Sequence, residues 1–297
     1  MRRLTMVLTE EQDGKDVGTL LRKALFLSTA SVRRAKGMPD GITLDGETVF
    51  TNARGRAGQT LSVAVGDTEG NEAIPPVAGP LKIVYEDEDL LIVDKPGGVP
   101  VHPSQGHHWD TLANFLMAHY EKIGLIAAFH PVNRLDRGTS GLMAVAKHPH
   151  AHELLQRQLQ GGELTRRYLA VCEGVPTPAE GTVDAPIARV PGSVLMRQVS
   201  PDGAAARTHY RVTETGGGRS LLSLRLDTGR THQIRVHMAH LGCPLTGDFL
   251  YGTETEKLPD RFALHSAEIC LRQPVTGEII RRESPLPAEL RKLITKE

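Results

Sequence analysis

Cysteine is scarce in this chain. Three residues among 297, Cys172, Cys243 and Cys270, lie far apart and form no CxxC pair. So sparse and odd a count excludes a disulfide framework and indicates a reducing compartment, the cytoplasm. Long apolar runs are also missing. None approaches the ~18 residues of a membrane span, and the apolar part of the opening MRRLTMVLTEEQ is too short for a secretory signal. No membrane partner is therefore expected. Cofactor signatures are missing too: no GxGxxG follows a strand and no GxxxxGK loop occurs. Net charge is zero, but this balance is local. Residues 1–66 carry +3, residues 67–90 carry −6 and residues 91–297 carry +3, so one acidic segment hides two basic ones. That distribution permits a nucleic-acid partner without demonstrating one.

Histidine is the residue present in excess, at thirteen copies. His148, His150 and His152 are spaced by two, and His232, His237 and His240 share a segment with Cys243. A catalytic zinc needs three converging ligands and an open position. HExxH is absent, and His148-Pro149-His150 reads as a surface loop, so no metal is expected.

Along the chain, Asp16 can cap a helix with Val17, Leu20, Leu21 and Ala24 on one face. Ser28 or Ser31 can start a second helix carrying Arg33, Arg34 and Lys36 and closed by Gly37. A hairpin around Asp45-Gly46 and a strand near Leu61–Val65 complete a small unit over residues 1–66. Residues 67–80, DTEGNEAIPPVAGP, have linker composition. From Leu81 onward, strands at Leu81–Val84, Leu90–Val93, Leu142–Ala146, Glu163–Glu173, Arg207–Thr215 and Arg219–Asp227 are expected, with helices after Thr111 and over Ala151–Gln160. Thr231–Val236 reads as a strand leading into a short helix. Strands outnumber helices and are joined by hairpins, which makes the class α+β with a largely antiparallel sheet.

Two stretches carry chemistry. His130–Lys147, HPVNRLDRGTSGLMAVAK, presents Asp136 between Arg134 and Arg137 on a small-residue turn before an apolar strand. Taken alone, the tripeptide reads as a solvated turn. Thr228–Gly252, TGRTHQIRVHMAHLGCPLTGDFLYG, adds arginines and histidines. Ser140 sits in Gly-Thr-Ser-Gly, which is not the GxSxG of a nucleophilic serine.

Together these stretches closely resemble the signature of the RluA-type pseudouridine synthases, HRLDxxTSGLL followed by GRxHQIRxH. Lys95-Pro96-Gly97-Gly98 with Val101-His102-Pro103 is similar to the family's KPxGxxVHP. Asn133 stands where the family usually has His. The resemblance implies a pseudouridine synthase fold over residues 81–297. It comprises a large mixed, mostly antiparallel sheet flanked by helices and loops. Residues 1–66 resemble the small alpha-L RNA-binding domain, although Gly14-Lys15-Asp16-Val17-Gly18 departs from its Gly-Arg-Leu-Asp-like opening.

The activity implied is isomerisation of specific uridines to pseudouridine in structured ribosomal or transfer RNA, by a monomer with no cofactor. The resemblance gives each residue an expected role. Asp136 is the catalytic carboxylate, and Arg230 is the arginine paired with it. Tyr168 lies against a flipped base, Arg134 fills the position that the base vacates, and Ile234 lines the uracil pocket. Arg33, Arg34 and Lys36 are expected to contact RNA. An ion-paired Asp stays charged in a partly buried site. The competing readings are an RNA-binding pseudoenzyme without catalysis and a nucleoside hydrolase, which lacks an evident second carboxylate.

Overall fold

The computed structural model describes residues 1–71 and 73–295; Glu72, in the expected linker, and the last two residues of the chain lie outside them. The N-terminal unit contains β1 (Arg3–Val7), α1 (Val17–Lys23), α2 (Thr29–Lys36), β2 (Ile42–Leu44), β3 (Glu47–Thr48) and β4 (Thr60–Ala64). Its antiparallel sheet has the order β1-β4-β2-β3. Both helices begin where the sequence supplies caps. Asp16 Oδ1 accepts the Thr19 amide at 2.8 Å, and Ser28 Oγ accepts the Ser31 amide at 3.1 Å. Leu4, Val17, Leu20, Leu21, Val32, Leu61 and Val63 close a core of their own.

The larger unit runs through β5 (Ile83–Glu86), β6 (Leu90–Lys95), α3 (Leu112–Lys122), β7 (His130–Pro131), β8 (Ser140–Ala146), α4 (Pro149–Gly161) and β9 (Thr165–Glu173). It continues through β10 (Glu180–Asp184), β11 (Ile187–Arg189), β12 (Arg197–Val199), β13 (Arg207–Gly216), β14 (Arg219–Leu226), α5 (Gln233–His240), β15 (Leu264–Arg272), β16 (Ile279–Glu283) and α6 (Ala288–Arg291). The main sheet has the order β10-β13-β14-β9-β15-β8-β6-β5, with β16 added to β15 and β7 to β8. Its pairings are antiparallel except β8 with β15, which run parallel at Ser140–His265 and Gly141–Ser266. Among the described residues no helix is long and apolar enough to cross a membrane.

β8 explains why the apolar run Leu142–Ala146 is continuous. Alternate side chains enter two different cores: Met143 and Val145 pack with Leu112, Leu116 and Tyr120, while Leu142, Ala144 and Ala146 pack with Ala151, Leu155 and Ile269. A strand buried on both faces needs apolar residues at every position. Each Leu or Met so buried contributes about 1.5–3 kcal/mol relative to exposure. The described residues of the stretch 67–80 have no regular structure but are packed in place. Ile74 is buried, and Asn114 of α3 bonds the Pro75 carbonyl at 2.9 Å.

Two expectations are corrected here. Thr231–Val236 is not a strand: α5 starts at Gln233, and the Val236 amide bonds the His232 carbonyl at 2.9 Å. The β-branched residues suggested a strand, but all six positions 233–238 are buried, and this packing overrides propensity. His148-Pro149-His150 is not a surface loop. His148 is fully buried as the cap of α4, its Nδ1 accepting the Ala151 amide at 3.2 Å. Its Nε2–H is directed at Asp89, 3.0 Å away. Asp89 also takes Arg2 from the N-terminal unit at 2.8 Å and Gln273 at 2.6 Å. Burial alone would raise the Asp89 pKa. Hydrogen bonds from His148, Arg2 and Gln273 hold it well below the carboxylate range instead.

Candidate active site

Asp136 stands on the loop between β7 and β8, which is shaped by close approaches. A Cβ on Gly138 would come within 2.7 Å of the Phe262 ring, and one on Gly141, at φ +105°, within 2.2 Å of the Ser266 carbonyl. Beneath the loop, Lys95 is fully buried with Nζ 2.9, 2.8 and 3.1 Å from the carbonyls of Pro96, Val99 and Arg137. Three acceptors match the three protons of an ammonium. Burial nevertheless pushes the Lys95 pKa down to about 7, with Arg261 adding to the effect and Asp136 opposing it.

The Asp136 carboxylate is 30% exposed and opens onto a cleft of about 1080 Å³. The cation beside it is Arg235, with Nη1 3.8 Å from Oδ2. Arg235 is itself fixed by two 2.7 Å bonds to the fully buried Asp248. The rings of Phe249, Tyr251 and Phe262 lie 5.4, 5.0 and 4.1 Å from its guanidinium carbon. Asp248 in turn accepts the amides of Leu250 and Tyr251. A planar fork held on one edge by a carboxylate and faced by aromatics has little freedom, so Nη1 is a fixed positive point beside Asp136.

The expected pairing of Arg230 with Asp136 is therefore corrected. Arg230 lines the same cleft, but its Nε donates to the Ala205 carbonyl at 3.0 Å. The reason is that the short helix expected after Val236 already begins at Gln233. Gln233 Oε1 accepts from Thr228 Oγ1 and the Arg230 amide, while its Nε2 donates to Arg207 and Thr208. This pins the 228–233 turn outward and lets α5 carry Arg235 inward. The signal was present, since Arg235 lies between Ile234 and Val236, and apolar residues on both sides of it mark a segment buried all round.

Tyr168, Arg134 and Ile234 also line this cleft, Tyr168 and Ile234 buried and Arg134 exposed. Tyr168 reaches it from the middle of β9. Arg33, Arg34 and Lys36 do not line it; they stand exposed on α2. Sequence reasoning also missed Arg166, Arg197 and His232 in the wall. Arg166 Nε is buried without a partner among the described residues. The cleft thus gathers Arg134, Arg166, Arg197, Arg230 and Arg235 around two acids, Asp136 and Asp227. Asp227 is occupied by His209 Nε2 at 2.8 Å. A neutral chain has built a strongly cationic cavity with one carboxylate at its floor. Asn133, the departure within the signature, is buried and accepts the Ala144 amide through Oδ1 at 3.2 Å. Ser140 is buried as well, its Oγ 2.9 Å from His265 Nδ1.

A sequence profile described as RNA pseudouridylate synthase matches residues 89–240, just over half of the chain. The chain belongs to the RluA-type pseudouridine synthase family. It is 43% identical over 256 residues to an uncharacterized RNA pseudouridine synthase, YjbO, of Bacillus subtilis (strain 168), covering 86% of this chain and 90% of that one. It is 41% identical over 266 residues to ribosomal large subunit pseudouridine synthase D of Xanthomonas campestris pv. campestris, covering 85% and 80%. Among solved structures it is similar to human RNA pseudouridylate synthase domain containing 1, with TM-score 0.58 and 28% identity over 71% of this chain and 85% of the other. As a member of this family the protein is an isomerase that converts uridine to pseudouridine in RNA.

Proposed function

We propose that the cleft takes a uridine swung out of large-subunit ribosomal RNA and isomerises it with Asp136 as the reacting carboxylate. The observation that carries this reading is Asp136 half-open to a cationic cleft beside an immobilised Arg235. Substrate and product are isomers, so the reaction needs no net oxidant, reductant or group donor. It needs a carboxylate near the anomeric carbon and the base, as a retaining glycosidase does. Extruding the base costs a few kcal/mol. Tyr168 offers a stacking platform that offsets part of this cost, Ile234 an apolar wall, and Arg134 a side chain to fill the vacancy in the RNA. Arg230, tethered through Nε, turns its remaining nitrogens to the RNA backbone. Arg33, Arg34 and Lys36 on α2 extend the basic surface.

Ribosomal RNA as target follows the Xanthomonas relative's name and its 41% identity; transfer RNA is the alternative. The cytoplasm suits three free cysteines, two of them buried. The test is incubation of uridine-labelled large-subunit rRNA and tRNA transcripts with the protein. Pseudouridine in the rRNA alone is the expected result. Pseudouridine in tRNA alone changes the target, free uracil means hydrolysis, and RNA retained without chemistry means a binder.

A further inference from the structure

The cleft holds one more group whose geometry points to a role. His232 lines it, two residues before Ile234 and three before Arg235. Its backbone has φ 59° and ψ 18°, the left-handed region that non-glycine residues rarely occupy and that concentrates at functional sites. Its Nδ1 lies 2.8 Å from the Tyr251 hydroxyl, and that oxygen accepts the Arg197 amide at 2.8 Å. The phenolic proton then has a single acceptor within reach among the described residues, Nδ1. With Nδ1 accepting, a neutral imidazole carries its proton on Nε2. Neutrality follows from position: burial lowers the His232 pKa, with Arg235 and Arg197 acting the same way and Asp136 and Asp248 opposing. Nε2 makes no hydrogen bond among the described residues, although His232 lines the cleft.

We propose that His232, locked as the Nε2–H tautomer by the Arg197–Tyr251 relay, donates a hydrogen bond to a carbonyl oxygen of the uracil while that base is detached. The inference rests on the uridine-isomerising reading above. When the C1′–N1 bond breaks, its electron pair stays with the uracil and spreads onto O2 and O4. The base turns, C5 bonds to C1′, one proton leaves C5 and one ends on N1. His232 keeps its own proton throughout. A donor already aimed at the developing oxyanion needs no reorganisation at the moment of reaction and binds the anion more strongly than the neutral base. Lysine in this place would add charge beside Arg235. A neutral N–H supplies the bond without that repulsion.

The experiment uses the full chain and a stem-loop from large-subunit rRNA that the wild type isomerises. His232→Leu removes the donor and His232→Gln keeps an N–H near the same place. Removing one donor of this kind typically costs ~10²–10³-fold in kcat. The Leu variant should lose kcat on that scale with KM within about threefold, and the Gln variant should recover most of the loss. Nitrogen-15 NMR of histidine-labelled protein should show His232 protonated on Nε2 alone, and Tyr251→Phe should mix the tautomers and lower kcat. Wild-type kcat in the Leu variant, a loss confined to KM, an Nδ1–H tautomer or an unmixed tautomer in Tyr251→Phe would each overturn the proposal. A wild type that isomerises no uridine in any RNA overturns the functional reading instead, whatever the tautomer.

Discussion

At the scale of single residues, Asp136 and Asp248 do different work, and their substitutions should separate. Asp136→Asn keeps the shape of the loop and removes the reacting charge. Turnover should fall by about 10²–10⁴-fold or more, while RNA affinity in a filter-binding assay stays near that of the wild type. Full activity would remove Asp136 from the mechanism. Asp248→Asn instead leaves the buried Arg235 charge without its partner. Breaking one side of such a pair costs about 3–5 kcal/mol, readable as a lower urea midpoint, and turnover should fall with it because Nη1 is no longer fixed. That Asp136, Arg134, Tyr168 and Ile234 share one cleft follows the expectation from the sequence, where each lies in a contiguous motif. The identity of the paired arginine was not legible there. Arg230 and Arg235 share one segment, and only the backbone geometry after residue 228 decides which guanidinium turns inward. Lys95 was visible in its Lys-Pro-Gly motif, but its three carbonyl partners come from segments up to 42 residues away.

At the scale of elements, the parallel pairing of β8 with β15 depends on one missing side chain. Gly141→Ala puts a Cβ 2.2 Å from backbone where φ is +105°. Neither the oxygen nor the strand can yield, so a loss of about 2–4 kcal/mol is expected in denaturant unfolding; a neutral effect would mean the two strands can separate locally. On α2, Arg33→Glu with Arg34→Glu should weaken RNA binding and reduce the dependence of log Kd on log salt by roughly one to two. The kcat at saturating RNA should be unchanged. The capped helices α1 to α3 were readable because Asp16, Ser28 and Thr111 are local signals, whereas the His148 cap of α4 was not. β15 was not, although it lies at the centre of the sheet. His265 and Ser266 look unlike core residues, and the burial of His265 is compensated only by distant groups, Ser140 and the Ser284 carbonyl. The short strands β10 to β12 are largely polar and owe their existence to the neighbours they pair with.

At the scale of the whole molecule, buried histidines set the response to acid. Burial pushes His150 down to about 4 and also lowers His237 and His265. Their native values lie below that of the unfolded chain, near 6.5. The unfolded state therefore binds more protons as pH falls, and stability present above pH 6.5 is lost toward pH 4. His150 alone accounts for about 2 kcal/mol at pH 5. The Tm should drop by several degrees between pH 7 and pH 5, and His150→Leu should flatten that slope; a slope unchanged in the variant would show that His150 titrates freely. The acids Asp67 and Asp89, held below their ordinary range, add their losses only at lower pH. Arg2 gives the molecule a last property. Its side chain is an internal strut, since Asp89 in the larger unit relies on it and on the histidine that starts α4. A change that removes Arg2, or crowds it from outside, would strip a brace from the larger unit. Expression work should leave the first residues intact and place a loose spacer before any tag.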